Sequence, residues 1–182
     1  MTDLADRYAA ARNIASMAGA MAMTYFSKLD QLIVYVKGHQ DFVSEADRNV
    51  ELAVRAALAS AFPDDGIVGE EGAPTSGSTG YTWVIDPIDG TTNFVNGIPQ
   101  WCVIIACVHK GQTVIGVVHD PVHDEMHHAV AGGGAFCNDR PIRVTRHAQL
   151  EEAMVSTGFS CLRAGWKNNN LPYFCAIAPL AR

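Results

Sequence analysis

The chain has 182 residues, 48% of them hydrophobic and 18% charged, with a formal net charge of −6. That length fits one domain over residues 1–182 with a proper core, and the apolar fraction is too high for a disordered chain. The acidic balance argues against nucleic acid as a partner, and the longest unbroken apolar run, Trp101 to Val108, is far too short to span a membrane.

Residues 3–27 are expected to form one helix. Leu4, Tyr8, Ala11, Ala15, Ala18 and Ala22 recur at helical spacing, and Thr2 or Asp3 is placed to cap it. Residues 31–37 are β-branched and short, a strand or the end of that helix. A second helix is expected over residues 44–61, capped by Ser44 and stopped by Pro63. Its apolar face carries Val50, Ala53, Val54, Ala57, Leu58 and Ala61.

The texture then changes. Residues 66–69 read as a short strand and 72–80 as a flexible polar loop. Residues 81–86 read as a strand that Pro87 ends. Residues 101–108 and 113–119 form a hairpin pattern. Another strand covers 125–131, and Asn138-Asp139-Arg140 marks the turn of a further hairpin. Residues 154–159 are expected to add a strand, and residue 171 begins a helical pattern. Helices first and hairpin-linked strands after give a layered α+β domain rather than a βαβ repeat.

Met1-Thr2-Asp3-Leu4 has neither a basic n-region nor an apolar h-region, so no signal peptide is expected. Five cysteines, Cys102, Cys107, Cys137, Cys161 and Cys175, are odd in number and show no close zinc-ligand spacing. They read as reduced thiols of a cytoplasmic protein. His119, His123, His127 and His128 are rival metal ligands. A turn at Asp120-Pro121 followed by a strand splays them, so a mixed surface and core role is expected.

Carboxylates concentrate between residues 41 and 92: Asp41, Glu45, Asp47, Glu70, Glu71, Asp86 and Asp89. Asp86 closes an apolar strand, Asp89 lies three residues on, and Ile88 offers a carbonyl between them. These are hard oxygen ligands, suited to Mg²⁺. Gly90-Thr91-Thr92 then reads as a helix opening whose free N–H groups attract an anion. Metal ligands followed by an anion cradle suggest a phosphate bridged to a metal. The bland readings stand beside this one. Asp-x-x-Asp-Gly alone is an ordinary turn. Glu70-Glu71 alone is a solvated acidic turn, and Ser44-x-x-Asp47 a capping box. Two carboxylates 4 Å apart repel by about 4 kcal/mol at an effective dielectric of 20. Convergence of Asp47, Glu70, Asp86 and Asp89 would therefore call for a divalent cation.

Gly69-Glu70-Glu71 and Asp86-Pro87-Ile88-Asp89-Gly90-Thr91-Thr92-Asn93-Phe94 resemble the two signature segments of the inositol monophosphatase family. Gly116-Val117-Val118-His119-Asp120-Pro121 and Gly134-Ala135-Phe136-Cys137-Asn138 resemble it too. The likeness runs from about Tyr8 to the last residue. It implies an α+β fold, the layered α/β/α/β sandwich of the inositol monophosphatase and fructose-1,6-bisphosphatase type. It further implies Mg²⁺-dependent, lithium-sensitive hydrolysis of a phosphorylated polyol and a homodimer. Glu70, Asp86, the Ile88 carbonyl and Asp89 match the family's metal ligands, the first and the last two also facing substrate. Asp47 and Thr91 match the pair that orients the attacking water. Gly90 and Thr91 match the phosphate-binding backbone, and Glu71 lies just behind the ligands as a further catalytic candidate.

Family members continue past this length into a Trp-Asp-x-Ala-Ala-Gly-like segment whose Asp completes the metal site. This sequence ends at Arg182 without it, so the resemblance implies a truncated member or a fragment. The activity expected is hydrolysis of inositol 1-phosphate. The alternatives are histidinol phosphate or a sugar bisphosphate as substrate, or a catalytically impaired binding module that keeps the fold.

Overall fold

The structure, a computed structural model, describes residues 4–38, 41–163 and 165–181, with the side chains of 36–38, 41–43, 160 and 163 excepted. Thr2, Asp3 and the Asp41 side chain fall outside the described residues. Two compact units divide the chain, Met1–Ile142 and Arg143–Arg182.

The first unit opens with helix α1 (Leu4–Phe26), and a 3₁₀ turn (Leu29–Gln31) follows. Ala11, Ala15, Ala18 and Ala22 are fully buried along α1. Such small side chains let a helix lie close to its neighbours. Strands β1 (Val34–Gly38) and β2 (Asp41–Ser44) pair antiparallel as a separate hairpin, of which the sequence showed only the first half. Helix α2 (Glu45–Ala61) starts at Ser44 as expected, with Ser44 and Asp47 in a reciprocal capping box.

Seven strands form the main sheet: β3 (Gly66–Gly69), β4 (Tyr81–Asp89), β5 (Cys102–His109), β6 (Gln112–Asp120), β7 (Glu125–Val130), β8 (Gly134–Cys137) and β9 (Arg140–Ile142). They lie side by side in chain order. Only β3–β4 is parallel. The sheet is thus mixed, and the fold is a mixed α+β one.

Side chains alternate across the sheet, as a period of two requires. Trp83, Ile85, Val103, Ile105, Cys107, Ile115 and Val117 are buried with the apolar faces of α1 and α2 in one core. Val84 is exposed and Asp86, Ile104, Ala106 and Val118, the alternate residues, are half-buried. A buried ion pair ties α1 to the loop before β3. Arg7 Nε and Nη2 donate to the two oxygens of Asp65 at 2.9 and 2.8 Å.

Two expectations need correction. Pro87 does not end the strand: β4 continues to Asp89 through a register shift. Asp86 pairs with Ile104 and Asp89 with Cys102, leaving one extra residue on β4. A bulge is where a sheet tolerates a residue without an N–H. Residues 154–159 form no strand. The second unit instead holds a 3₁₀ turn (Leu150–Glu152) and short helices α4 (Ser160–Arg163) and α5 (Leu171–Ile177). There Phe159 and Phe174 meet edge to face, 5.3 Å between ring centres. The 154–159 stretch has β-forming side chains but no paired edge.

Candidate active site

The β4 bulge turns the chain sharply. Gly90 follows with φ 98°, a left-handed conformation that strains any residue with a Cβ. A Cβ there would also lie 3.1 Å from the Gln100 carbonyl. A one-turn helix, here α3 (Thr91–Val95), begins at once. Phe94 is fully buried and anchors it against Trp101, 4.8 Å between ring centres, with Phe26 of α1 packed on both.

Thr91 Oγ1 lies 3.1 Å from Asp47 Oδ1 and 3.1 Å from the Ile88 carbonyl oxygen. Asp47 is almost fully buried. Its other oxygen, Oδ2, accepts from the Ser44 backbone N–H at 2.8 Å and from the Ser44 hydroxyl at 2.5 Å. Asp47 therefore fills both roles open to it in the sequence, a helix cap and a partner of Thr91.

Asp86 sits between two other carboxylates. Burial pushes its carboxyl up, Glu70 and Asp89 push it further, and the result is about 7. A hydrogen bond joins it to Glu70. Its Oδ1 is buried with no hydrogen-bond partner. Asp89 Oδ2 accepts from the Cys102 thiol at 3.8 Å. Burial and the carboxylates Asp89, Asp86 and Asp120 raise that thiol to about 12, so it stays protonated. An orphaned buried carboxylate oxygen with two further acids beside it fits a hard divalent cation such as Mg²⁺. The Glu70, Asp86 and Asp89 oxygens do not draw within 4.8 Å of one another as a trio. Among the described residues only Glu125, His127 and Cys137 do that.

A residue the sequence did not single out holds this edge together. Glu51, on α2, is 1% exposed. It accepts from the Glu71 N–H at 2.8 Å, the Gly72 N–H at 2.9 Å and Arg55 Nε at 2.6 Å. A Cβ at Gly69 would lie 2.2 Å from its carboxylate. Only the Glu-x-x-x-Arg spacing hinted at it, and that spacing is common on exposed helix faces. The histidines divide: His119 and His128 are buried, His123 pairs with Asp120 and His127 lies beside Glu125. All five cysteines are free.

Beside the site lies a groove of about 430 Å³, whose walls include Asp89, Gly90, Trp101, Asp120 and His127. Among the described residues no helix is long and apolar enough to cross a membrane.

Known proteins resemble this chain in sequence and fold. The inositol monophosphatase of Anabaena (Nostoc) sp. PCC 7120 superposes with a TM-score of 0.84 at 32% identity, covering 99% of this chain and 66% of that one. The inositol-1-monophosphatase of Rhizobium meliloti (strain 1021) is 42% identical over 149 residues, 81% of this chain and 56% of that protein. A Pseudomonas aeruginosa relative named Nus factor SuhB is 44% identical over 148 residues, 80% of this chain and 55% of its own. This chain thus spans about half the length of the curated relatives it matches. The class is that of the mixed α+β fold these structures share. The chain belongs to the inositol monophosphatase family, whose model matches residues 3–175.

Proposed function

We propose that this chain carries a Mg²⁺-dependent site for hydrolysis of a phosphomonoester, with inositol 1-phosphate the substrate that fits best. The observation that carries the reading is the meeting of two groupings at one bulge: Asp86 pressed against Glu70 and Asp89, and Thr91 held between Asp47 and the Ile88 carbonyl.

Glu70, Asp86, Asp89 and the Ile88 carbonyl would hold the cation. Mg²⁺ supplies charge neutralisation for the phosphoryl oxygens and a more acidic water. The Thr91 hydroxyl has a single proton, and with it directed to Asp47 the oxygen's lone pairs are free to accept one from water. Asp47, itself held by Ser44, fixes that orientation. Gly90, Thr91 and the start of α3 present backbone N–H groups where the phosphate would lie. Glu71 stands behind the ligands, its backbone fastened by Glu51. A loose phosphoryl-transfer transition state leaves the protein positioning and charge neutralisation as its main work. Lithium sensitivity, a homodimer, a cytoplasmic setting and no nucleic-acid partner complete the reading. Histidinol phosphate and sugar bisphosphates remain within the same chemistry.

Phosphate release from inositol 1-phosphate, measured with and without Mg²⁺ on the folded chain, tests it. Release that needs Mg²⁺ and falls with Li⁺ is expected. A second reading, a binding module that keeps the fold, is favoured by the non-enzyme name of the Pseudomonas relative. No release at any Mg²⁺ concentration would select it.

A further inference from the structure

A second, chemically different cluster lies on β7 and β8. Glu125 and His127 are two residues apart on one strand, so their side chains share a face. Cys137 pairs directly with His127 across the ladder. The same ring nitrogen, His127 Nε2, lies 3.3 Å from Glu125 Oε2 and 3.9 Å from Cys137 Sγ. All three ligand atoms lie within 4.8 Å of one another.

Those separations have a natural yardstick. A tetrahedral Zn²⁺ binds N and O at about 2.0–2.1 Å and S at about 2.3 Å, which places its ligand atoms about 3.3–3.6 Å apart. The oxygen–nitrogen edge already matches, and the nitrogen–sulfur edge needs to close by only about 0.3–0.4 Å. Cys137 is 4% exposed, at the floor of the cluster. Glu125 and His127, each with close to half its side chain exposed, form the rim through which an ion would enter.

We propose that Glu125, His127 and Cys137 form a three-ligand site for a borderline-soft divalent cation of the Zn²⁺ class. Thiolate and imidazole favour such ions and disfavour Mg²⁺, so the site is separate in kind from the oxygen-lined one at Asp86. As the Sγ–metal bond forms, the Cys137 thiol gives its proton to solvent, so affinity rises with pH. Three protein ligands leave a fourth position open. His127 also walls the groove that holds Asp89 and Gly90, which puts the bound ion beside the phosphatase site.

Co²⁺ binding to the full chain in the presence of excess Mg²⁺ tests the proposal. A thiolate-to-cobalt charge-transfer absorption is expected, saturating near one equivalent and abolished by added Zn²⁺. Cys137→Ser and His127→Ala should each remove it, and Cys102→Ser and Asp86→Asn should leave it. His127 is the safer variant, being at the rim. The proposal is overturned by a spectrum without that absorption. It is equally overturned by an absorption that survives both Cys137→Ser and His127→Ala, or by one lost with Cys102→Ser alone.

Discussion

Thr91 Oγ1 stands 3.1 Å from Asp47 Oδ1, although the two residues belong to different helices 44 positions apart. The Asp47 oxygen that faces away from Thr91 is taken up by Ser44. The carboxylate therefore cannot swing, and the hydroxyl inherits its orientation. Thr91→Ala removes the hydroxyl but none of the proposed metal ligands. Phosphate release should fall by about 10²-fold or more, on the scale of lost proton-transfer catalysis. The rise in Tm caused by Mg²⁺ should persist. Thr91→Ser should recover most of the activity. Equal loss of activity and of Mg²⁺ stabilisation would make Thr91 a structural residue.

The buried Asp86 predicts a stability effect of definite sign. Its folded carboxyl sits at about 7, above the ordinary carboxylate value of 3.8. An acid raised in the folded state favours folding where it is protonated, and that advantage is lost as pH rises from about 4 to about 7. The metal-free protein should lose stability across that window. Mg²⁺ must displace the proton, so its stabilisation should be larger at pH 8 than at pH 6. Asp86→Asn should stabilise the metal-free protein at pH 8 and lose the response to Mg²⁺. Thermal melts at both pH values with and without EDTA give the comparison. A Mg²⁺ response equal at both would contradict the assignment. Asp89→Asn should lose activity chiefly through weaker Mg²⁺ binding, seen as a higher Mg²⁺ concentration for half-maximal phosphate release.

Much of this site was legible because its parts are contiguous. The run from Asp86 to Phe94 holds proposed ligands, helix start and anchor in one short stretch, and Ser44 with Asp47 shows a helix start by spacing alone. What the sequence hid depends on pairing between distant strands. Nothing local signals that β4 survives Pro87, since the bulge is defined by the partner strand β5. Residues 127 and 137 look unrelated until β7 and β8 pair. Along the chain the histidines splay, and spacing alone does not show a cysteine arriving from the next strand. Glu51 follows the same logic. It lies between Val50 and Leu52 on a helix, and only the approach of Gly69 and Gly72 shows that it faces inward.

Glu51 should act on the site through the backbone of Glu71 and Gly72. Glu51→Ala takes the acceptor from the Glu71 and Gly72 N–H groups and from Arg55 Nε, and should destabilise the fold by about 1–3 kcal/mol in all, since these donors are only partly buried. Glu51→Gln keeps the shape and removes the charge. It should fold, with Mg²⁺ binding weakened because Glu70 is held less firmly. Gly69→Ala should be as damaging as Glu51→Ala, since the added methyl meets the carboxylate at 2.2 Å. The double variant Gly69→Ala/Glu51→Ala should be less unstable than the sum of the two, because the clash and its partner are removed together. Full additivity in urea unfolding would show that the contact does not govern the turn.

Arg7 and Asp65 predict behaviour in acid. Burial raises the Asp65 carboxyl, but hydrogen bonds from Arg7, from Thr79 Oγ1 at 2.6 Å and from Trp83 Nε1 at 3.0 Å outweigh it and hold it below the usual carboxylate range. A depressed acid stabilises the fold above its unfolded value and loses that contribution as pH falls through its folded value. The window therefore opens below the ordinary carboxylate value of 3.8. Asp65→Asn takes from Arg7, 3% exposed and stacked over Tyr81 at 4.0 Å, its two-pronged carboxylate partner. Breaking a buried pair from one side costs about 3–5 kcal/mol. The variant should be destabilised by that order at pH 7 in urea unfolding, and the gap to the parent protein should close below about pH 4. A gap that stays constant down to pH 3 would mean that Asp65 contributes shape rather than charge.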